Sequence, residues 1–190
     1  MLMFFKMAKR KSKEEKFVRE LEIPQGTEAQ IENNEVILKK DGKENKRRFS
    51  HVLIEKKDNK IIVSAKRGTK REKKQVNSII AHIKNMIDGL GKNFTYKLQI
   101  CSVHFPMNVS VKDELLIIKN FLGESRERKA KILPGVEVKI EKEIIIVESC
   151  NKEAAGQTAA NIEKITKVRG KDRRIFQDGI FMTEKSGEEI

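Results

Sequence analysis

The sequence predicts an α+β fold of two duplicated domains, each a small, mainly antiparallel sheet packed with one helix. Three observations predict it. Short runs rich in Ile and Val come in pairs joined by polar connectors, as hairpins do. Behind each set of runs lies a stretch with apolar residues at helical spacing and a good N-cap before it. The whole order then recurs at an offset near 82 residues, too long for a solenoid repeat of roughly 20–50.

In the first copy, Ile23-Pro24 leads to Val36-Ile37-Leu38-Lys39; in the second, Phe105-Pro106 leads to Leu115-Leu116-Ile117-Ile118-Lys119. Each run is followed by a basic loop containing glycine, Gly42 with Arg47 and Arg48, then Gly123 with Arg126 and Arg128. The next pair, Val52-Leu53-Ile54 and Ile61-Ile62-Val63, is matched by Val136, Val138, Ile140 and Ile144-Ile145-Ile146-Val147. Thr69-Lys70-Arg71-Glu72 has the spacing of a capping box, in which the Thr oxygen takes an amide and the Glu returns to the Thr amide. Val76, Ile79, Ile80, Ile83 and Ile87 form the helical stripe behind it, with Gly89 or Gly91 expected to stop the helix. In the second copy Asn151 is the expected cap, Ala155, Ala159, Ile162, Ile165 and Val168 the buried face, and Gly170 the stop. Gln75 and Gln157, Ile80 and Ile162, and Ile83 and Ile165 correspond at the same offset. These features set the expected organisation: a flexible basic arm over 1–16, a first domain over 17–98, a second over 99–183 and an acidic tail over 184–190.

Charge narrows the function. The chain of 190 residues carries 41 Lys and Arg against 28 Asp and Glu, a net charge of +13. Such an excess favours a polyanionic partner, because each cation placed on a phosphate releases condensed counterions. The bases cluster in blocks near the ends of apolar runs, where loops can follow a phosphate backbone while strands hold them in place. Four such blocks stand out: 39–48, 66–74, 126–131 and 164–174. A basic protein with merely solvated charges is the bland alternative.

Other classes find little support. Cys101 and Cys150 stand far apart and form no CxxC pair, which suits a reducing cytosol and argues against a disulfide scaffold or a zinc site. His51, His82 and His104 fall in no ligand-spaced group, and His82 sits beside the helix stripe as a boundary residue. There is no P-loop, no GxSxG elbow and no GxGxxG before a helix. No metal, cofactor or small-molecule substrate is expected, and no enzyme. No run has the apolar length of a membrane span. Met1 to Phe5 is too short for a signal-peptide core, and Met7 is a second candidate initiator.

Several stretches carry a resemblance. Asn93-Phe94-Thr95-Tyr96-Lys97-Leu98 and Val103-His104-Phe105-Pro106-Met107-Asn108-Val109 resemble the inter-domain segment of the large-subunit ribosomal protein L-six family, called L-nine in eukaryotes. Asn120-Phe121-Leu122-Gly123-Glu124, Leu133-Pro134-Gly135-Val136 and Asp172-Arg173-Arg174-Ile175-Phe176-Gln177-Asp178-Gly179-Ile180 are similar to the same family, in its archaeal and eukaryotic branch. The order of features extends the resemblance over about 17–185. It implies a non-catalytic protein of the cytoplasmic ribosome whose second domain binds large-subunit rRNA. It places that site near the sarcin-ricin loop and stalk base, among neighbouring ribosomal proteins and where translational GTPases dock. A non-ribosomal RNA- or DNA-binding accessory protein is the main alternative; an RNA-processing enzyme is a second, for which no constellation is visible.

The residues expected on rRNA are Lys92 and Lys97, then Arg126, Arg128, Lys129 and Lys131, then Lys167, Arg169, Lys171, Arg173 and Arg174. Arg is the more persuasive member of each block, since its fork pairs with two phosphate oxygens at once. Phe94, Tyr96 and Phe176 are candidates for base stacking, with packing the competing role for each.

Overall fold

The computed structural model describes residues 17–50, 52–66 and 68–190. The expected basic arm, the Met7 start, His51 and Arg67 lie outside the described residues.

The first domain contains six strands and a helix: β1 (Phe17–Glu22), β2 (Glu28–Glu32), β3 (Glu35–Lys40), β4 (Lys43–Arg48), β5 (Leu53–Lys57), β6 (Lys60–Ala65) and α1 (Lys70–Gly91). Their pairing is antiparallel throughout and makes two three-stranded sheets, ordered β1-β6-β5 and β2-β3-β4. The tight turn between β2 and β3 uses Asn33 and Asn34, both at positive φ, which matches the right-handed twist of the strands it joins. Strand alternation then sorts the side chains. Val36 and Leu38 of β3 and Ile61, Val63 and Ala65 of β6 are buried, and α1 closes over them with Val76, Ile79, Ile83 and Met86. The capping box forms as expected, Thr69 Oγ1 accepting from the Glu72 amide.

The second domain repeats this order. Its elements are β7 (Phe94–Cys101), β8 (Asn108–Lys112), β9 (Leu115–Lys119), β10 (Arg128–Lys131), β11 (Glu137–Glu141), β12 (Ile144–Ser149) and α2 (Lys152–Ile165), followed by β13 (Gly179–Lys185) and β14 (Glu188–Glu189). Sheet β10-β9-β8 mirrors β4-β3-β2, and β11-β12-β7 mirrors β5-β6-β1. The duplication therefore holds at the level of strand order, with each expected sheet divided in two. The second core gathers Leu98, Leu116, Ile118, Ile145 and Val147 under Ala155, Ala159 and Ile162 of α2.

Several boundaries differ from expectation. The stretch 94–98, expected in the first domain, belongs to the central strand of the second domain's sheet. Tyr96 and Leu98 pair with Val147 and Ile145 of β12 and are buried in the second core. That strand needs a partner some 50 residues away, which local periodicity cannot specify. The expected acidic tail is instead part of a hairpin: Glu184 and Lys185 of β13 pair with Glu189 and Glu188 of β14. Helix α1 runs through Gly89 and ends at Gly91, one of its two expected stops, whereas α2 ends at Ile165, well before Gly170. Nor is the offset constant. Val76, Ile79 and Ile83 have Ala155, Thr158 and Ile162 as their buried counterparts, 79 positions on. The caps Thr69 and Asn151 stand 82 apart, so α2 meets its sheet about one turn closer to its cap.

The domains meet along a polar seam. Asn45, buried on β4, donates to the Cys150 carbonyl at 3.3 Å, and Lys43 Nζ donates to Asn93 Oδ1 at 2.9 Å. Arg47 is paired with Glu153 at the start of α2 and lies 3.0 Å from His82 Nδ1. Gly89 lies against the Cys150 backbone; a Cβ there would fall 2.0 Å from the Cys150 carbonyl oxygen. Gly89 thus serves close approach between the domains, and helix termination is left to the residues after it.

Candidate nucleic-acid interface

The expected basic residues divide into those held by acids of the same chain and those left to solvent. Lys97 Nζ lies 2.6 Å from Glu184, and the hydrogen bond to that carboxylate raises its pKa. Arg128 donates through Nε and Nη2 to Glu124 at 2.8 and 2.6 Å and through Nη1 to the Ile165 carbonyl at the end of α2. Its guanidinium also lies 4.1 Å from the centroid of the Phe121 ring. The hydrogen bond from Arg128 is the main reason the Glu124 carboxyl titrates lower than usual. Arg128 is therefore a brace between β10 and α2, satisfying a helix-end carbonyl, with all its guanidinium nitrogens engaged within the chain. Lys129 lies 3.6 Å from Glu127, which also receives Lys119 at 3.0 Å. Arg126, Lys131 and Lys92 are exposed and form no ion pair among the described residues.

Between α2 and β13 the situation reverses. Lys167, Arg169, Lys171, Arg173 and Arg174 are all exposed, and none forms an ion pair among the described residues. The backbone carrying them is firmly tied. Thr166 Oγ1 accepts from the Ile180 amide at 3.0 Å, fastening the end of α2 to β13. The Asp172 carbonyl accepts from the amides of Ile175 and Phe176, and its carboxylate from the Arg174 amide. Asp178, only 1% exposed, takes the amides of Val103 and His104 at 2.8 and 3.0 Å on one oxygen. Its other oxygen lies 2.6 Å from His104 Nδ1. Burial alone would raise the Asp178 pKa, but the hydrogen bonds from His104 and Val103 outweigh it and hold the carboxyl below its usual value. His104 in turn stacks on Phe176, with centroids 4.9 Å apart. The result is a flexible-looking sequence fixed at both ends, fanning five cations from a rigid base.

A groove of about 770 Å³ runs beside this segment, between the C-terminal half of α2, the loop after β7 and residues 173–178. Lys164, Lys167 and Arg173 stand on it, together with Val103, Val168 and Phe181.

The stacking candidates fare differently. Tyr96 is 3% exposed, and its hydroxyl lies 3.0 Å from Ser186 Oγ and 3.4 Å from the Lys152 carbonyl. It cannot present a ring face to a base; alternation along β7 turns it inward beside Leu98. Phe94 is half-buried against Gly89 at the seam, and Phe176 carries His104 on its ring with Lys171 Nζ 4.4 Å from the centroid. Sequence reasoning missed Phe181, an exposed ring on the groove, and the anchoring pair Asp178 and His104. A buried carboxylate ahead of Gly179 left no periodic signal to find it by. Among the described residues no group of three or more His, Cys, Asp or Glu could hold a metal ion, and no helix is long and apolar enough to cross a membrane.

The comparison with known proteins bears on this same region. Residues 105–179 match the family model described as Ribosomal protein L6, a span running from before β8 through the whole basic segment. The chain is 44% identical over 171 residues to large ribosomal subunit protein uL6 of Methanococcus vannielii, covering 89% of this chain and 94% of that one. The chain belongs to the uL6 family. It is also 45% identical to the uL6 protein of Sulfurisphaera tokodaii, over 87% of this chain and 91% of the relative. With that of Aeropyrum pernix it shares 43% identity, over 88% and 94%. The uL6 family is a structural, non-enzymatic one, in keeping with the resemblance read from the sequence, and its relatives here are archaeal.

Proposed function

We propose that the protein is a structural constituent of the large subunit of the cytoplasmic ribosome and that its second domain, from β7 onward, binds large-subunit rRNA. The observation that carries the reading is the segment 167–174, whose five exposed cations form no ion pair among the described residues and whose backbone is tied down at Thr166, Asp172 and Asp178. With the backbone already ordered, meeting phosphate costs only the freedom of the side chains themselves, which leaves more of their charge for binding. Arg173 and Arg174 lead the interface, with Lys167, Arg169 and Lys171 beside them. Arg126, Lys129, Lys131 and Lys92 are outer contacts. Structured RNA is read mainly by shape and backbone, which suits a loop of fanned cations. The location implied by the family resemblance is near the sarcin-ricin loop and stalk base, beside other ribosomal proteins and the docking place of translational GTPases.

The test is sedimentation of the tagged full-length chain from its own cells at rising salt, together with Arg173→Ala/Arg174→Ala. Stoichiometric movement with the large subunit is expected, and the double variant should lower the salt slope of rRNA binding by about 1–2. Protein left at the top of the gradient would favour an accessory nucleic-acid binder. An unchanged slope would remove the two arginines from the interface.

A further inference from the structure

We propose that the groove beside the basic segment receives an unstacked base of the RNA and that Phe181 is the surface on which it stacks. This rests on the reading of 167–174 as an RNA contact. A site for phosphate alone needs only cations, yet this groove joins Lys164, Lys167 and Arg173 to an apolar patch of Val103, Val168 and Phe181. Val103 and Phe181 are 66% and 38% exposed, a cost in water that a bound base would remove. Two carboxylates lie on the groove; Asp178 is taken up by His104 and the adjoining amides, leaving Glu163 against the three cations.

The pose of Phe181 is specific. Its ring folds back over Gly179, where a Cβ would fall 2.9 Å from Cζ and 3.1 Å from Cε2. Glycine at 179 is what allows the ring to lie against the β13 backbone, while its remaining surface lines the groove. Phe176 cannot take this part, since its ring is engaged by His104 and Lys171. An aromatic surface bordered by cations suits an exposed base with its phosphates alongside, the pattern by which unpaired nucleotides are held.

Phe181→Ala, Phe181→Leu and Phe181→Tyr in the full-length chain separate stacking from apolar packing. Each is titrated with deproteinised large-subunit rRNA over a salt series, after circular dichroism has confirmed the fold. Stacking of one base predicts a loss of roughly five- to hundredfold for Ala and Leu, an unchanged salt slope, and near-normal binding for Tyr. If the Ala variant does not fold, the Leu and Tyr pair carries the same test. Wild-type affinity for Leu would overturn the proposal, as would a fall in salt slope for any of the three. Should Arg173→Ala/Arg174→Ala lower the slope while the Phe181 variants bind normally, the RNA contact stands and the stacked base falls. If neither set changes binding, the contact itself is wrong.

Discussion

The two domains share one strand order but end differently, and the difference is where function enters. In the first, α1 runs for 22 residues and passes almost directly into β7. In the second, α2 stops after 14, and the chain spends residues 166–178 on the anchored basic segment before adding β13 to the edge of β7. The first domain leaves the matching edge, β1, without a second partner among the described strands. Arg19, Glu20 and Glu22 are exposed along that strand, charges of the kind that discourage edge-to-edge pairing. The second copy covers its edge instead with β13 and, in reaching it, lays out the basic segment proposed as the site. Net charge does not show this contrast: the first domain carries more of it, while the second gathers five exposed cations in one segment tied down at Thr166, Asp172 and Asp178.

The comparison can be sharpened at the helix faces. Ile83 and Ile162 are both fully buried at matching positions, so Ile83→Ala and Ile162→Ala should each cost about 2–5 kcal/mol. Denaturant midpoints give the test. A much smaller cost for one of them would mean the two cores are not equivalent. Ala159→Leu should overfill the tight contact of α2 with its sheet by about 1–3 kcal/mol. At the matching position Ile80 is only half-buried, and Ile80→Leu should cost less than about 1.5 kcal/mol. Equal shifts for the two substitutions would undo the 79-residue alignment of the faces.

A pH titration should then pick out the second domain's segment. Asp178 has its pKa lowered in the folded state, so its contribution to stability is complete above the ordinary carboxylate range and is lost as pH falls through the lowered value. Protection of the Val103 and His104 amides from exchange should therefore persist in mild acid and fall in strong acid, below the ordinary carboxylate range, before protection in the middle of α1 does. The opposite order would show that Asp178 does not hold the loop. The smallest effect expected is at Lys97, whose raised pKa follows from its hydrogen bond and attraction to Glu184 in a pair open to solvent on the lysine side. Its contribution is present below the usual lysine range and lost only as pH rises through the raised value, and Lys97→Met should barely move the denaturant midpoint at neutral pH.

Much of this fold was legible in residue order because hairpins and capped helices are local. The capping box at Thr69 and Glu72 and the paired runs at 52–63 and 136–147 announce themselves within a few residues. The site was legible in part. The block 167–174 stood out by charge, and its five cations are exposed without an ion pair among the described residues. Arg128 and Lys97 looked the same in sequence, yet each meets an acid that folding brings to it: Glu124 across a short loop, and Glu184 from 87 positions away. Tyr96 looked like a stacking residue until its strand found β12.

By itself, then, the sequence determined the duplicated α+β design, which depends on the spacing of near neighbours; its charge pointed to a polyanionic partner, and its motifs carried the resemblance to the family. Only the tertiary structure decided which cations are free, that Gly89 serves the seam between domains, and that Asp178 anchors the basic segment. These depend on groups far apart in the chain. Pairing distance and burial set whether a charge is neutralised or offered to a partner, and both exist only once the strands have found their neighbours.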